Sequence, residues 1–139
     1  MQIVYTLLDG FFLVFHSAFT IFNMFGWISV KIRKVHFFTM VATGFSWFFL
    51  GIWYGWGYCF CTDWHWQIRE MLGKPVPFNS YIQFLIYEIT GYIPDANITD
   101  FFVVTVYFMS LLISIVLNIR DYHNAKKYII LDEIKKPDC

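Results

Sequence analysis

Residues 3–34 read IVYTLLDGFFLVFHSAFTIFNMFGWISVKIRK, an almost unbroken apolar and aromatic run that ends in a short basic turn. A helix needs about 20 apolar residues to span the hydrocarbon core of a bilayer, and this run exceeds that length. The turn from Lys31 to Lys34 packs three positive charges into four residues and is too short for anything but a connection between antiparallel helices. The stretch therefore predicts two successive membrane spans.

Two further apolar segments extend this pattern along the chain. We predict spans at about residues 3–30, 35–58 and 98–118, an external segment at 59–97 and a charged tail at 119–139. The composition agrees, being 58% hydrophobic and 23% aromatic but only 14% charged. One soluble core of a chain this short would not bury so many aromatic side chains. The expected fold is an all-α integral membrane bundle of three transmembrane helices.

The distribution of lysine and arginine predicts the orientation. Eight of these residues flank the spans on the side of the basic turn and the tail, and only Arg69 and Lys74 lie on the other side. Because cytoplasmic loops are enriched in Lys and Arg, the turn and tail are expected in the cytoplasm. In a bacterium this means a multi-pass protein of the inner membrane, with a periplasmic N-terminus. Cys139 then faces the reducing cytoplasm.

The external segment carries the signals of two short amphipathic helices. The first is expected to begin at Thr62 or Asp63. The second is expected at residues 81–90, where Ser80 and Gln83 make a capping box. Its apolar residues share one face, which predicts that it lies on the membrane surface or over the mouth of the bundle.

We single out four ionisable or amide side chains inside the first two predicted spans, where polar groups are costly. Asp9, His16 and Asn23 share one stripe of the first span at about 100° per residue, and His36 begins a polar face on the second. Both faces should point into the bundle. The polar side chains on these faces either join helices by hydrogen bonds, which contribute about 0.6 to 2 kcal/mol each, or line a proton or small-molecule pathway.

Haem ligation by both intramembrane histidines is disfavoured. His36 lies near the basic turn, and His16 lies roughly 15 to 20 Å deeper at about 1.5 Å per residue. The two imidazoles are therefore too far apart to share one iron. Haem ligation by one of these histidines, with the second ligand supplied by a partner subunit, stays possible.

The densest chemical signal is residues 59–65, CFCTDWH. Cys59, Cys61, Asp63 and His65 are candidate ligands for Cu(I) or Zn²⁺. Two cysteines and one histidine leave zinc short of its usual four ligands, and a disulfide across one residue is strained and oxidising. The alternative is that both cysteines are small apolar residues at a helix end, or that they pair with a partner.

The order of these features resembles a bacterial membrane-protein family, the domain of unknown function 2784. The resemblance covers roughly residues 5–120 and rests on His16, Gly26, Arg33, His36, Cys59, Thr62, Arg69 and Gly73. Phe60 and Cys61 replace the Pro-Leu that is common in the family, and His65 stands where the family has a glutamate. The family carries no assigned activity, so the resemblance implies the fold and adds Arg69 to the candidate residues.

We expect a non-enzymatic protein, an accessory or structural subunit of a larger inner-membrane complex. Its partners would be the lipid bilayer and other membrane-protein subunits, with residues 128–131 of the tail as a docking strip. The alternative is a periplasm-facing redox protein that uses the Cys59 to His65 cluster with a metal, haem or quinone. Nucleic-acid binding is not expected, because topology accounts for the basic residues.

Overall fold

The computed structural model describes residues 1–78 and 80–135 and confirms an all-α architecture, with no strand in that part of the chain. Three helices are long and apolar enough to cross a membrane: Gln2–Ile28, Arg33–Tyr54 and Ala96–Tyr128. The α-helices are α1 (Gln2–Phe25), α2 (Arg33–Phe45), α3 (Gly51–Tyr54), α4 (Phe60–Met71), α5 (Tyr81–Thr90) and α6 (Ala96–Lys135). The predicted three-span bundle with short helices in the 59–97 segment is therefore confirmed.

Helix α1 ends in a short 3-10 turn, Gly26–Ile28, which brings the chain against α2. A Cβ atom on Gly26 would lie 2.7 Å from Cδ2 of His36, so only glycine permits this close approach. Asn118 reaches across from α6, and its amide donates to the Arg33 carbonyl at 3.4 Å. The three spans therefore converge at this end, which we call the turn end.

The second span contains a π-helical turn, Ser46–Leu50, between α2 and α3. The Ser46 hydroxyl donates to the carbonyl of Tyr58 at 2.8 Å and so ties the following loop back to the helix. The span ends at Tyr54, before the predicted boundary at residue 58, because Gly55 and Gly57 take φ values of 104° and 79°. Only glycine adopts such conformations readily, and they stop the helix.

The segment between the second and third spans forms a cap at the opposite end, which we call the cap end. Helix α4 packs along α1, and α5 contacts α6. Helix α4 begins at Phe60, ahead of the predicted caps Thr62 and Asp63. The capping box predicted at Ser80 is wrong, because the Gln83 amide instead donates to the Pro94 carbonyl at 3.1 Å.

Helix α6 is 40 residues long, so at about 1.5 Å per residue it measures roughly 60 Å. Its first turn is capped by the Asp95 carboxylate, which accepts from the Ile98 N–H at 3.0 Å. The helix continues past residue 118, where the third span was predicted to give way to the tail. Cys139 lies outside the described residues.

The buried aromatic core of the protein lies at the cap end. Phe78, Tyr81 and Phe84 are buried there, with Leu13 of α1 and Trp66 of α4 packed against them. Most large apolar side chains of the three spans are instead exposed, as expected where lipid covers them. The cap is thus the one place where the described chain builds a protein-like interior around α1.

Candidate functional site

A buried histidine–carboxylate pair links α1 and α4 at the cap end. The Nε2 atom of His65 lies 2.7 Å from Oδ1 of Asp9, and the His65 side chain is fully buried. A carboxylate oxygen accepts hydrogen bonds, so His65 donates from Nε2 and its Nδ1 carries a lone pair. That Nδ1 atom is buried and has no hydrogen-bond partner among the described residues.

Arg69 lies one turn further along α4 and contacts the same carboxylate. Its Nη1 atom lies 3.6 Å from Oδ1 of Asp9, and its Nη2 donates to Oε1 of Glu88 at 3.0 Å. The guanidinium carbon lies 4.6 Å from the centre of the Phe84 ring, in a cation–π contact. The Nε atom of Arg69 is buried and, within residues 1–78 and 80–135, has no acceptor.

His16 stacks face to face on Tyr81, with ring centres 3.9 Å apart and planes 8° apart. The Tyr81 hydroxyl donates to the Leu13 carbonyl at 3.0 Å and lies 3.1 Å from the Ser17 hydroxyl. Burial raises the pKa of Tyr81, so this hydroxyl keeps the proton that it donates. The His16 ring is therefore held in place by stacking, and its buried Nδ1 finds no partner in the described chain.

Two free thiols lie where the chain enters α4, and Cys59 is the one next to His16. Hydrogen bonding from the Cys61 thiol lowers the pKa of Cys59, and the His16 imidazole and the Thr62 N–H lower it further, against the opposing effect of burial. The same contact with Cys59, together with burial, raises the pKa of Cys61. Of the two thiols, Cys59 therefore has the lower pKa.

Burial dominates the protonation of His65. It lowers the pKa of the imidazole because the charged form loses its hydration. The hydrogen bond to Asp9 acts in the opposite direction, while Arg69 and His16 lower the pKa further. At neutral pH His65 is neutral, with a free lone pair on Nδ1 that can accept a proton or a hydrogen bond.

We refer to these side chains together as the cap cluster: Asp9, His16, Cys59, His65, Arg69 and Tyr81. Its three partnerless atoms, Nδ1 of His16, Nδ1 of His65 and Nε of Arg69, we call the open nitrogens. Few buried polar groups in native proteins lack a hydrogen bond, so these three atoms make the cap cluster the candidate functional site.

A second buried polar cluster occupies the turn end and is fully hydrogen-bonded. His36 donates from Nε2 to the Asn23 carbonyl at 3.0 Å, and its Nδ1 lies 3.0 Å from the Ser114 hydroxyl. The same carbonyl accepts from the Ser110 hydroxyl at 2.6 Å. The Asn23 side chain accepts from the Thr39 hydroxyl at 2.9 Å.

An ion pair closes this second cluster toward the turn. Arg33 lies 2.6 Å from Asp121 through Nη1, and its Nε donates to the Trp27 carbonyl at 2.8 Å. We refer to Asn23, Arg33, His36, Ser110 and Ser114 as the turn cluster. Its hydrogen bonds join all three spans, which is what polar side chains contribute between membrane helices.

The predicted polar stripe of α1 is thus divided between two clusters. Asp9 and His16 belong to the cap cluster, whereas Asn23 belongs to the turn cluster with His36. Arg69, which the family resemblance singled out, lies in the cap cluster. His16 stacks on Tyr81 of α5, whereas His36 bonds Asn23 of α1 and Ser114 of α6.

The four predicted metal ligands do not converge. Asp63 accepts from Gln67 at 2.9 Å and lies 3.4 Å from the Tyr58 hydroxyl, whereas His65 bonds Asp9. In the residues that the structure describes, no three His, Cys, Asp or Glu side chains form a group that could hold a metal ion. The donors present therefore do not fit a metal centre built from Cys59, Cys61, Asp63 and His65.

Sequence reasoning missed Tyr81 of the cap cluster and also Glu88, which pairs with Arg69. Both lie on α5, and nothing in their spacing shows that this helix packs against α1. A usable signal did exist on α4, because Thr62, His65 and Arg69 recur at i, i+3 and i+7 and so share one helix face. Thr62 and His65 are both buried.

Neither a curated protein nor a solved structure matches this chain. A family does, and its match covers residues 6–119, which include both clusters, the whole of the second span and most of the first and third. The chain belongs to the family described as "Protein of Unknown function (DUF2784)".

Proposed function

We propose that this protein carries out thiol–disulfide exchange at the outer face of a bacterial inner membrane. The observation that carries the proposal is the position of Cys59, whose thiol lies beside the Cys61 thiol and the buried imidazole of His16. Thiolates rather than thiols attack disulfides, and reactive cysteines occur next to histidines and at helix N-termini. Cys59 precedes the first residue of α4 and meets both conditions.

The exchange involves two electrons and two protons. The Cys59 thiolate attacks a disulfide R–S–S–R, forms a mixed disulfide and releases one thiolate, which takes up a proton. Cys61 then loses its proton and attacks the Cys59 sulfur, which releases the second thiol and leaves a Cys59–Cys61 disulfide. Such a disulfide spans only one residue and is strained, so once the disulfide R–S–S–R has oxidised the two thiols, the Cys59–Cys61 disulfide readily passes on to a partner dithiol and returns to two thiols.

The location supports this chemistry. The excess of lysine and arginine on the turn and tail favours an outward-facing cap, and disulfides persist in the periplasm. The thiols lie at the end of the second span, within reach of proteins anchored in the same membrane. The proposed partner is therefore a cysteine-containing protein in the periplasm.

The test uses the full chain in native membrane vesicles, with Cys139→Ser removing the third thiol. Alkylation of Cys59 is measured from pH 5 to 9 with a small reagent and mass spectrometry. Because the pKa of Cys59 is lowered, we expect its rate to stay level as the pH falls below 8, where an ordinary thiol slows about tenfold per unit. His16→Phe should raise the pH at which the alkylation rate of Cys59 begins to fall.

A second readout is equilibration with glutathione and its disulfide, followed by acid quenching and a maleimide mass shift. With glutathione disulfide in large excess, both thiols should disappear together in the Cys139→Ser protein. Cys61→Ser should trap a mixed disulfide at Cys59, and Cys59→Ser should form none. An ordinary pH profile for Cys59, together with no Cys59–Cys61 disulfide in glutathione disulfide, would overturn the proposal.

The second candidate is an accessory subunit of a membrane complex, favoured by helix α6. The helix is roughly twice as long as the 30 Å hydrocarbon core, and Tyr122 and Tyr128 on its far part are 68% and 74% exposed. A partner would cover these aromatic side chains. Copurification from native membranes tests this function, and a protein that runs alone and monomeric would exclude it.

A further inference from the structure

We propose that the groove between α2 and α6 at the turn end binds one anionic phospholipid, with an acyl chain along its apolar part and the phosphate between Lys34 and Lys126 at its outer end. The lipid enters from the surrounding leaflet. This site goes beyond the thiol chemistry proposed above and does not depend on it, because both thiols of that reaction lie at the cap end.

The groove has a volume of about 500 Å³, which is within the usual range of ligand pockets. Its lining consists of Phe37 from α2 and of Ile115, Asn118, Ile119, Tyr122 and His123 from α6. The phenylalanine and the two isoleucines form the apolar part, and the tyrosine and histidine follow it along α6. One continuous surface therefore presents apolar and hydrogen-bonding side chains, so a single occupant contacts both kinds.

An ion pair between the two helices shows where the groove crosses the end of the second span. Asp121 of α6 lies 2.6 Å from Arg33, the first residue of α2. The two isoleucines of the groove precede this level and lie beside the apolar span, whereas the tyrosine and the histidine lie beyond it. A groove that crosses this boundary fits a molecule that carries both an apolar chain and a polar head.

The charge around the outer end of the groove is positive. Residues 29–36 contain three lysines or arginines and residues 115–128 contain three more, against one acidic residue, Asp121. The charge of Asp121 is already paired with Arg33 at 2.6 Å. Basic residues next to a membrane span attract anionic lipids, so this end of the protein favours an anionic head group.

Helical spacing brings two of the cations to the groove itself. Lys126 continues the stripe of the two isoleucines and Tyr122 along α6, at spacings of four, three and four positions. Lys34 precedes Phe37 by three positions on α2 and so shares its face. Both lysines are exposed. Lys127, the next residue on α6, is turned about 100° away from this stripe. Topology explains why basic residues lie at this end, but not why two of them continue the groove.

The hydrogen-bonding groups also match a phospholipid. Its ester and phosphate oxygens accept hydrogen bonds, and the Tyr122 hydroxyl and the two lysine ammonium groups donate them. A free phosphate would leave the apolar part of the groove without an occupant. A second copy of the chain would bring a second positive surface against the first, and the two would repel each other.

The test is native mass spectrometry of the full chain in detergent, titrated with phospholipids that carry the same palmitoyl and oleoyl chains. Phosphatidylglycerol is the anionic probe, and phosphatidylcholine is the probe without net charge. The first phosphatidylglycerol should bind about twentyfold more tightly than phosphatidylcholine, because each of two lysines contributes about fivefold. Glycerol phosphate in excess should not displace it, since that anion has no acyl chain.

Matched pairs of variants locate the site on the protein. Lys126→Gln should weaken phosphatidylglycerol binding about fivefold, whereas Lys127→Gln removes the same charge from another face and should weaken it less than about twofold. Ile119→Trp should fill the groove and block binding, whereas Val116→Trp should not. Ile119 and Val116 are 53% and 62% exposed, so both positions admit a larger side chain without disturbing the bundle.

Several results would contradict the proposal. Equal affinity for the two lipids would exclude an anionic site, and equal effects of the two lysine variants would reduce it to general attraction. Equal effects of the two tryptophan variants would remove the groove. Displacement by glycerol phosphate would identify a site for soluble phosphate instead. A dimer or a copurifying protein that excludes the lipid would assign the groove to a protein partner.

The titration is repeated with a Cys59→Ser, Cys61→Ser protein. Lipid binding should be unchanged there, and its loss would contradict the independence of this site from the thiols. The thiol proposal and the lipid proposal can therefore fail separately.

Discussion

The turn cluster and the cap cluster each contain a fully buried histidine, and the two are completed in opposite ways. Both ring nitrogens of His36 are hydrogen-bonded, to Asn23 and to Ser114. His65 is just as buried, but only its Nε2 has a partner in the described chain. The two histidines are therefore equally buried and differ in the state of the second ring nitrogen.

The energetics of the two clusters differ for the same reason. A hydrogen bond that is made adds roughly 1 kcal/mol, whereas a buried group left without one costs about 1 to 3 kcal/mol. The turn cluster therefore stabilises the bundle. Without a ligand or solvent molecule beside them, the open nitrogens of the cap cluster lower the stability of the folded protein, as is common at binding sites.

The largest effect is expected from His36→Leu, compared with His16→Leu. Removing His36 takes away the closest partner of the Ser114 hydroxyl, which keeps only the 3.4 Å bond from Asn118, and one of the two donors to the Asn23 carbonyl, so unfolding should become easier by about 2 to 3 kcal/mol. Removing His16 loses mainly its stacking on Tyr81, about 1 kcal/mol. Unfolding by SDS in mixed micelles, followed by tryptophan fluorescence, measures both. Equal losses would break the contrast between the clusters.

A somewhat smaller effect is expected from Gly26→Ala at the turn end. The new Cβ would lie 2.7 Å from the His36 ring, which its hydrogen bonds hold in place, so overpacking should cost about 1 to 3 kcal/mol. Gly10→Ala is the matched control, since nothing lies within 4 Å of its Cβ position and alanine favours the helix. If both variants have the same stability, the turn cluster is looser than its geometry indicates.

The smallest effect is a pH dependence that belongs to the cap cluster. Burial lowers the pKa of His65 in the folded protein, so below about pH 6.5 the unfolded chain binds the proton more readily. Stability is therefore full above this pH and is lost on acidification, by at most about 1.4 kcal/mol per unit.

The parent protein and His65→Gln are compared by the same SDS titration between pH 8 and 5. The parent should lose stability on acidification, and the variant should lose less because it lacks the imidazole. An equal pH dependence in both proteins would assign it to another group.

The three spans and both cap helices could be predicted because their signals are local. Apolar length defines the spans, and Gly91, which takes a φ of 70°, ends α5 where the sequence places it. The predicted end of the second span, at residue 58, was too late for a local reason too. The sequence stays apolar through Gly55, and only the backbone conformation of that glycine stops the helix.

The site could be predicted only in part, because its geometry depends on which helices pack together. Asp63 and His65 looked like ligands of one metal, yet at about 100° per residue they lie on opposite sides of α4. Asp9 and His65 are 56 positions apart, and no periodicity connects them. Their pairing follows from the packing of α4 on α1, which no local pattern specifies.

The Asn23 carbonyl has a consequence for biogenesis. It accepts from His36 and from Ser110, which lie 13 and 87 positions later in the chain. A nascent chain that has inserted only its first two helices can make the first of these bonds but not the second. The turn end therefore reaches its final form only after the last helix has left the ribosome and entered the bilayer. Truncation before α6 should yield a helical pair that is inserted but still open to quality-control proteases.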